Sequence, residues 1–162
     1  MTWINVLDIQ PYSWLSIGTA IFCAAIIGLE RQLRGKPVGI RTSSLITLGT
    51  YIFLATAFLL QGDNIDPSRV LGQVITGIGF LGAGVMLAKD GAVVGVTSAA
   101  TIWILAAIGV MIATNHLASA VKFSLLVVAI LYGVDFLESR VKVLTRGVHA
   151  RVKSYSSKKQ EK

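Results

Sequence analysis

Charged residues are scarce in this sequence, and none of them stands at the middle of a long hydrophobic segment. The 162 residues are 14% charged and 54% hydrophobic, whereas a soluble domain has roughly 25% charged residues. Proton- and cation-coupled carriers usually place ionisable groups near the bilayer centre. The composition therefore indicates a membrane protein that lacks the usual mark of a coupled carrier.

Catalytic and metal-binding motifs are missing as well. Neither HExxH nor GxSxG occurs, and the two histidines, His116 and His149, stand apart and outside the hydrophobic segments. The single cysteine, Cys23, excludes an intrachain disulfide and a cysteine-based zinc site. The first ten residues hold one charge, Asp8, and no basic stretch typical of a cleaved signal peptide. We therefore expect no enzymatic activity, no cofactor and no metal site, and a first segment that remains a membrane helix.

Five hydrophobic segments predict an all-α, polytopic membrane bundle of about five transmembrane helices. The third, Val70–Ala88, has 19 uncharged residues that include five glycines. At about 1.5 Å per residue it spans roughly 28 Å, which matches the hydrocarbon thickness of a bilayer. Because small residues allow helix backbones to approach closely, we expect this segment to be a tightly packed central helix. The other segments are Ser13–Leu29, Thr42–Leu60, Ser98–Ala113 and Leu117–Leu137.

The distribution of basic residues predicts the orientation. The loop between the first two segments carries four Lys or Arg, and residues 138–162 carry eight against two glutamates. Because an excess of Lys and Arg marks cytoplasmic loops, five segments place the N-terminus outside and the C-terminus in the cytoplasm. We predict a transmembrane domain over residues 1–137 and a basic cytoplasmic tail over 138–162. This tail is expected to contact anionic lipid rather than nucleic acid.

The two basic-side loops resemble each other. At an offset of 56 positions, the pattern G-x6-G-x2-V-G-[IV]-x-[TS] is read once from Gly28 and again from Gly84. Such a repeat predicts two pseudo-repeated hairpins related by an axis along the membrane normal, plus one extra helix. The alternative is coincidence between two glycine-rich loops.

The first loop contains a candidate binding cluster of Glu30, Arg31, Arg34 and Arg41 around a Gly/Pro turn. Glu30 and Arg34 form an i,i+4 pair, which contributes only a few tenths of a kcal/mol, roughly, at an exposed surface. That pair leaves Arg31 and Arg41 unexplained. Several arginines around a turn suit an anionic group or an acidic patch on a partner protein. The alternative is that they only set the topology.

The start of the third segment gives the outer-face candidates. Asp66 is a good helix N-cap, and a proline in the next position costs no hydrogen bond. Arg69 opposes the helix dipole and needs a partner, such as Asp66 or a group on another helix. A structural cap with a salt bridge is one interpretation, and an outer-face ion site is the other. Gln73, inside the segment, is expected to form an interhelical hydrogen bond.

Three blocks of sequence, GLERQLRGKPVGIRTSSLITLG, DPSRVLGQVITGIGFLGAGVML and KDGAVVGVTSAATIWILAAIG, together resemble the membrane domain of the MgtC/SapB family. The resemblance implies a bacterial inner-membrane protein linked to low magnesium and to survival inside host cells. Some members of the family are implicated in restraining the ATP synthase. Longer members carry a cytoplasmic C-terminal domain, whereas about 25 residues follow the last segment here, so this resembles a short form.

The resemblance also implies site residues. Thr42 joins Glu30, Arg31, Arg34 and Arg41 in the first block, while Asp66, Arg69 and Gln73 belong to the second. The expected helix-packing residues are Gly77, Gly79, Gly82, Gly84, Gly95, Thr97 and Trp103.

Two functions of different classes are consistent with these features. The first is a non-enzymatic regulator, linked to low-magnesium adaptation or virulence, that binds another membrane protein such as the ATP synthase, or a second copy of itself. The second is a channel or transporter for magnesium or another small ion, because glycine-rich helices can expose backbone carbonyls to a pore. A third possibility is an anionic lipid or phosphate ligand bound at the arginine loop.

Overall fold

A computed structural model describes residues 8–60, 66–89 and 92–140. Within these ranges the chain forms five α-helices and one short two-stranded β-ribbon. The described residues therefore confirm the predicted all-α helical bundle. The elements are α1 (Trp14–Leu33), α2 (Ile40–Leu59), α3 (Pro67–Gly84), β1 (Leu87–Lys89), β2 (Ala92–Val94), α4 (Val96–Ala113) and α5 (Leu117–Arg140).

Four of the described helices, α1, α2, α4 and α5, are long and apolar enough to cross a membrane. These helices support the predicted membrane protein. The glycine-rich helix α3 is not among the four, since its glycines, Arg69 and Gln73 lower its mean hydropathy. Its assignment as a membrane span stays a prediction.

Helices α1, α2 and α4 form the centre of the bundle. Helix α5 packs against α1 and α4, whereas α3 packs against α4 and α2. The expectation that the glycine-rich segment is a packed central helix is therefore wrong for the described residues, because only Ile78 and Gly82 of α3 are buried. Large side chains fill the centre, including the fully buried Ile27, Leu54, Ile102, Leu105, Ile108 and Ile112.

Among the helical glycines of the described residues, the two with the closest neighbouring helix lie outside α3. A Cβ atom at Gly28 of α1 would lie 2.6 Å from the Cα atom of Ile40 at the start of α2. A Cβ atom at Gly109 of α4 would lie 2.6 Å from the carbonyl oxygen of Thr47 in α2. The hydroxyl of Thr47 donates to the carbonyl of Leu105 at 3.2 Å, which fixes the α2–α4 contact further. Glycines thus allow the backbones of the central helices to approach closely.

The predicted end of the third segment is wrong by about one helical turn. Helix α3 ends at Gly84, and the segment beyond it turns into β1, which pairs antiparallel with β2 so that Leu87 faces Val94. Two of the last three helical residues are glycines, the weakest helix formers after proline, while the β-branched Val93 and Val94 favour a strand. Gly95, the N-cap residue of α4, then has a φ of 92°, which glycine adopts without strain.

The other boundaries differ by smaller amounts. Helix α1 continues past Leu29 to Leu33, α4 begins at Val96 instead of Ser98, and α5 runs to Arg140. The last three residues of α5 therefore belong to the predicted tail 138–162, and residues 141–162 of this tail lie outside the described part. We call the end of the bundle that carries Arg31, Arg34 and Arg41 the basic end, and the opposite end the far end.

The two loops of the predicted repeat have different conformations. Gly39 has a φ of −73°, whereas its counterpart Gly95 has a φ of 92°. Open space surrounds the Cβ position of Gly84, unlike that of its counterpart Gly28. In the first loop the buried Val38 has a φ of 69°, and its carbonyl accepts a hydrogen bond from the Ser43 hydroxyl at 3.2 Å. The hairpins α1–α2 and α3–α4 each pack together, but they do not share one loop geometry.

Candidate functional site

The candidate site lies in the last turn of α1, at the basic end. Helix α1 ends there because Arg34 is the C-cap residue and Gly35 adopts a φ of 62°, a left-handed conformation that favours glycine. The N–H of Gly35 donates to the carbonyl of Gln32 at 3.1 Å. This fixed terminus positions Glu30 and Arg31, which are both buried.

Arg31 joins α1 to the start of α4. Its guanidinium donates through Nη2 to the hydroxyl of Ser98 at 2.6 Å, and the two residues are only 4% and 2% exposed. A buried charge is costly unless it is hydrogen-bonded, so this contact stabilises the arrangement. Ser98 lies in the first turn of α4, whose dipole is also positive at this terminus. The basic end therefore concentrates positive charge between α1 and α4.

Glu30 and Arg34 connect α1 to α5. The Oε1 atom of Glu30 lies 2.5 Å from Nε of Arg34, and the Arg34 guanidinium lies 5.2 Å from the ring centre of Tyr132 in α5. Glu30 is 9% exposed, and its Oε2 atom has no hydrogen-bond partner among the described residues. Oε1 is thus ion-paired and Oε2 is not, and neither of these buried oxygens has a hydrogen-bond partner among the described residues.

The structure brings together three of the five residues predicted for this site. Arg41 and Thr42 lie in the first turn of α2, where both side chains are exposed. Neither forms a hydrogen bond or ion pair with a described residue in the cluster of Glu30, Arg31 and Arg34. The binding roles predicted for these five residues stay predictions. Of the five, Glu30, Arg31 and Arg34 are positioned by side-chain contacts described above.

At the far end, Asp66 caps α3 as its sequence position indicates. Its carboxylate accepts from the backbone N–H of Ser68 at 2.8 Å and from the Ser68 hydroxyl at 2.7 Å. Hydrogen bonding from the Ser68 hydroxyl, followed by that from its N–H, holds the pKa of Asp66 below its ordinary value. These contacts explain Asp66 as a structural cap.

Arg69 and Gln73 have no such explanation. Both side chains are exposed on α3. The positive charge of Arg69 contributes a smaller part of the lowered pKa of Asp66, but no Arg69–Asp66 salt bridge is formed among the described residues. Gln73 forms no hydrogen bond with the described residues. The outer-face ion site and the interhelical hydrogen bond therefore stay predictions.

The glycines of α3 fall into two groups. Gly82 is buried, and a Cβ atom there would lie 3.6 Å from Cβ of Ala99 in α4, an ordinary contact distance. Gly77, Gly79 and Gly84 are exposed, with open space around the Cβ position. A packing role for these three glycines requires another chain and stays a prediction.

The remaining predicted packing residues lie at the start of α4. A Cβ atom on Gly95 would overlap the carbonyl oxygen of Val85, so the backbone there is closely packed. Thr97 is exposed, and its carbonyl accepts from the hydroxyl of Thr101 at 2.8 Å. Trp103 is 54% exposed on the outside of α4. Gly95 has a local structural role, while Thr97 and Trp103 face outward.

Sequence reasoning missed several residues that build the contacts. It used Ser98 only to align the repeat and assigned nothing to Tyr132, although these are the contacts of Arg31 and Arg34. It also omitted Gly109, which has a closer neighbouring helix than the glycines of α3. An available signal was the polar Ser98 at the start of the most apolar segment. Tyr132 carried no comparable signal.

A separate cavity of about 250 Å³ lies at the far end, where α1, α2 and α4 meet. Its lining includes Ser13, Ser16 and Tyr51, and the Tyr51 hydroxyl accepts from the N–H of Ser13 at 3.3 Å. None of the predicted site residues lines it. Within the described ranges, no three His, Cys, Asp or Glu residues are grouped so that they could hold a metal ion.

Known proteins resemble this chain over most of its described length. A profile of the MgtC family matches residues 17–140. The "Putative magnesium transporter YhiD" of Escherichia coli K12 is 46% identical over 103 residues, which cover 59% of this chain and 47% of that protein. Protein MgtC of Brucella abortus strain 2308 is 36% identical over 68% of this chain and 46% of its own length. Protein MgtC of Salmonella typhimurium strain LT2 is 35% identical, covering 72% and 49%.

The chain thus spans about half the length of these curated relatives. No solved structure matches it. The profile match covers all five described helices apart from the first turn of α1, and it agrees with the resemblance carried by the three sequence blocks. The apolar helices and this match together show that the chain is a membrane protein belonging to the MgtC family.

Proposed function

We propose that this protein is a non-enzymatic membrane regulator that acts by binding another membrane protein through the exposed face of α3. Its basic end faces the cytoplasm of a bacterial inner membrane, in agreement with the excess of Lys and Arg in the first loop. The family resemblance suggests a role in low-magnesium adaptation or virulence. The ATP synthase is one candidate partner, and a second copy of this chain is another.

The observation that carries this proposal is the exposure of three glycines on α3, of which Gly77 and Gly84 share one face and Gly79 lies on the opposite side. Open space surrounds the Cβ positions of Gly77, Gly79 and Gly84, so no residue in the described part of the chain uses their lack of a side chain. Small residues are favoured where two membrane helices pack closely, because they let the backbones approach. A single lipid-facing helix gains no such contact from glycine. A partner helix would also supply a hydrogen bond for the exposed amide of Gln73, which has none among the described residues.

The hydropathy of α3 supports the same reading. Of the five described helices, α3 is the one that is not apolar enough to be counted as a candidate membrane span. Placed in a bilayer, its polar groups would be stabilised by protein neighbours more than by lipid. Phe80, which is 78% exposed, adds a large apolar side chain to this face.

The test compares leucine substitutions at glycines whose Cβ positions all have open space around them. Gly77→Leu places a large side chain on the exposed face that Gly77 shares with Gly84, and Gly79→Leu places one on the opposite side of α3. Gly18→Leu makes the same change on the exposed surface of α1. Each variant is purified from membranes in mild detergent after cross-linking. We expect loss of the co-purifying membrane protein in Gly77→Leu or Gly79→Leu, according to the side of α3 that the partner contacts, and its retention in Gly18→Leu. Equal co-purification in all three variants would exclude binding through the exposed glycines of α3.

Magnesium transport is the second candidate, since the YhiD relative carries a transporter name. Purified protein in liposomes should then move magnesium without any partner, and Asp66→Ala should reduce the flux if the outer end of α3 forms the entrance. Absence of flux above empty liposomes, with a membrane partner bound in the co-purification experiment, would favour the regulator.

A further inference from the structure

Helix α5 is packed unevenly along its length. In its far-end half, Ala120 and Ser124 are fully buried. Beyond Ser124, none of the described side chains up to residue 136 is buried, and Val127, Val128 and Leu131 are only partly covered by the core. The far-end half is therefore anchored by close packing, whereas the basic-end half is not.

A charged contact holds the less packed half. The guanidinium of Arg34 lies 5.2 Å from the ring centre of Tyr132, which is 61% exposed. Glu30 positions this guanidinium through its ion pair with Nε at 2.5 Å. These three side chains connect α1 to α5, since Glu30 is ion-paired with Arg34 and Arg34 makes a cation–π contact with Tyr132.

One atom of this group of side chains, Oε2 of Glu30, opposes the packing of α5 against α1. The Oε2 atom of Glu30 is buried and has no hydrogen-bond partner among the described residues. A buried acceptor without a partner is destabilising relative to one that is hydrated. Water reaching the cluster as α5 moves outward would supply the missing donor. The cation–π contact and the unpaired oxygen thus favour opposite positions of the helix.

We infer that Glu30, Arg34 and Tyr132 form a latch, and that the basic-end half of α5 moves between a closed position on α1 and an open one. The far-end half stays in place because Ala120 and Ser124 remain packed. Opening exposes the Glu30–Arg34 pair at the basic end, where it becomes available to solvent. This motion involves α1 and α5 and does not depend on what binds α3.

The latch can be tested by distances between spin labels in the full chain. Labels at Leu33→Cys and Val134→Cys report on the basic end, in a Cys23→Ala background, because both positions are exposed. A second pair, Leu15→Cys and Ala118→Cys, reports on the far end.

Tyr132→Leu removes the aromatic face but keeps an apolar side chain, and Tyr132→Phe keeps the ring as a matched control. We expect Tyr132→Leu to raise the ratio of long to short basic-end distances about two- to fivefold, the range given by a partly exposed cation–π contact. Tyr132→Phe should match the unsubstituted protein, and the far-end distances should not change.

Arg34→Met provides the second variant. If the two side chains act as one latch, adding Tyr132→Leu to Arg34→Met should cause no further opening. Three results would overturn the inference: unchanged basic-end distances in Tyr132→Leu, an equal lengthening at both ends, or full additivity of the two substitutions.

Discussion

The close approach of α2 and α4 at Gly109 gives a sharp test of how this bundle is held together. In Gly109→Ala the new Cβ atom would lie 2.6 Å from the carbonyl oxygen of Thr47 and 2.7 Å from Cβ of Thr50. Ordinary contact begins at 3.4 Å. One methyl group therefore forces the helices apart by about 0.8 Å, because the Thr47 carbonyl belongs to a helix backbone and cannot turn away.

The expected cost follows from two opposing effects. Overpacking a well-packed core destabilises by about 1–3 kcal/mol, whereas replacing glycine by alanine within a helix is favourable by up to roughly 1 kcal/mol. Gly77→Ala provides the matched control, since its Cβ position in α3 is open. The helix contribution is common to both variants, so their difference in the free energy of unfolding isolates the clash at about 1–3 kcal/mol.

Both variants can be measured by titrating the folded protein from mild detergent into SDS and following tryptophan fluorescence. Gly109→Ala should unfold at a lower SDS fraction than the unsubstituted protein, and Gly77→Ala should unfold at an equal or higher one. If Gly109→Ala were as stable as Gly77→Ala, the α2–α4 contact would not be as close as described and the argument for a tight central pair would fail.

Three further substitutions probe the basic end, two by the same titration and one by hydrogen exchange. Ser98→Ala removes the hydroxyl that accepts from Arg31, so we expect a loss of about 1–3 kcal/mol, against at most about 0.5 kcal/mol for Arg41→Ala on the exposed surface of α2. Equal effects of the two would show that the buried contact contributes nothing. Gly95→Ala forces a side chain into a φ of 92° and against the carbonyl of Val85, so hydrogen exchange in the ribbon should accelerate; unaltered protection would contradict the strained geometry.

Composition and segment length were sufficient to predict the all-α class and five helices, and the resemblance of three sequence blocks was sufficient to predict the family. The position of α3 could not be predicted, because glycines show that a backbone can be approached closely but not which chain approaches it. Gly109 is the opposite case, a closely approached glycine that no sequence pattern marks. It is a single glycine in an apolar segment, with no spacing to distinguish it, and its role depends on where α2 passes.

The candidate site shows the same limit. The arginines at the end of α1 were recognisable from their charge and from the turn beside them. Their contacts were not, because Ser98 is 67 positions from Arg31 along the chain and Tyr132 lies on another helix from Arg34. Side-chain pairs this distant in sequence depend on how the helices pack, and that packing leaves little trace in a single sequence.

The loop that connects α1 to α2 has a consequence for recognition. Val38 holds a left-handed backbone although it is β-branched, which is strongly disfavoured unless the surroundings fix it. Its burial and the hydrogen bond from Ser43 do so. Such a connection has lost most of its conformational freedom before any encounter. A protein or lipid head group docking on this edge would meet a preorganised surface, and little affinity would be lost to ordering it.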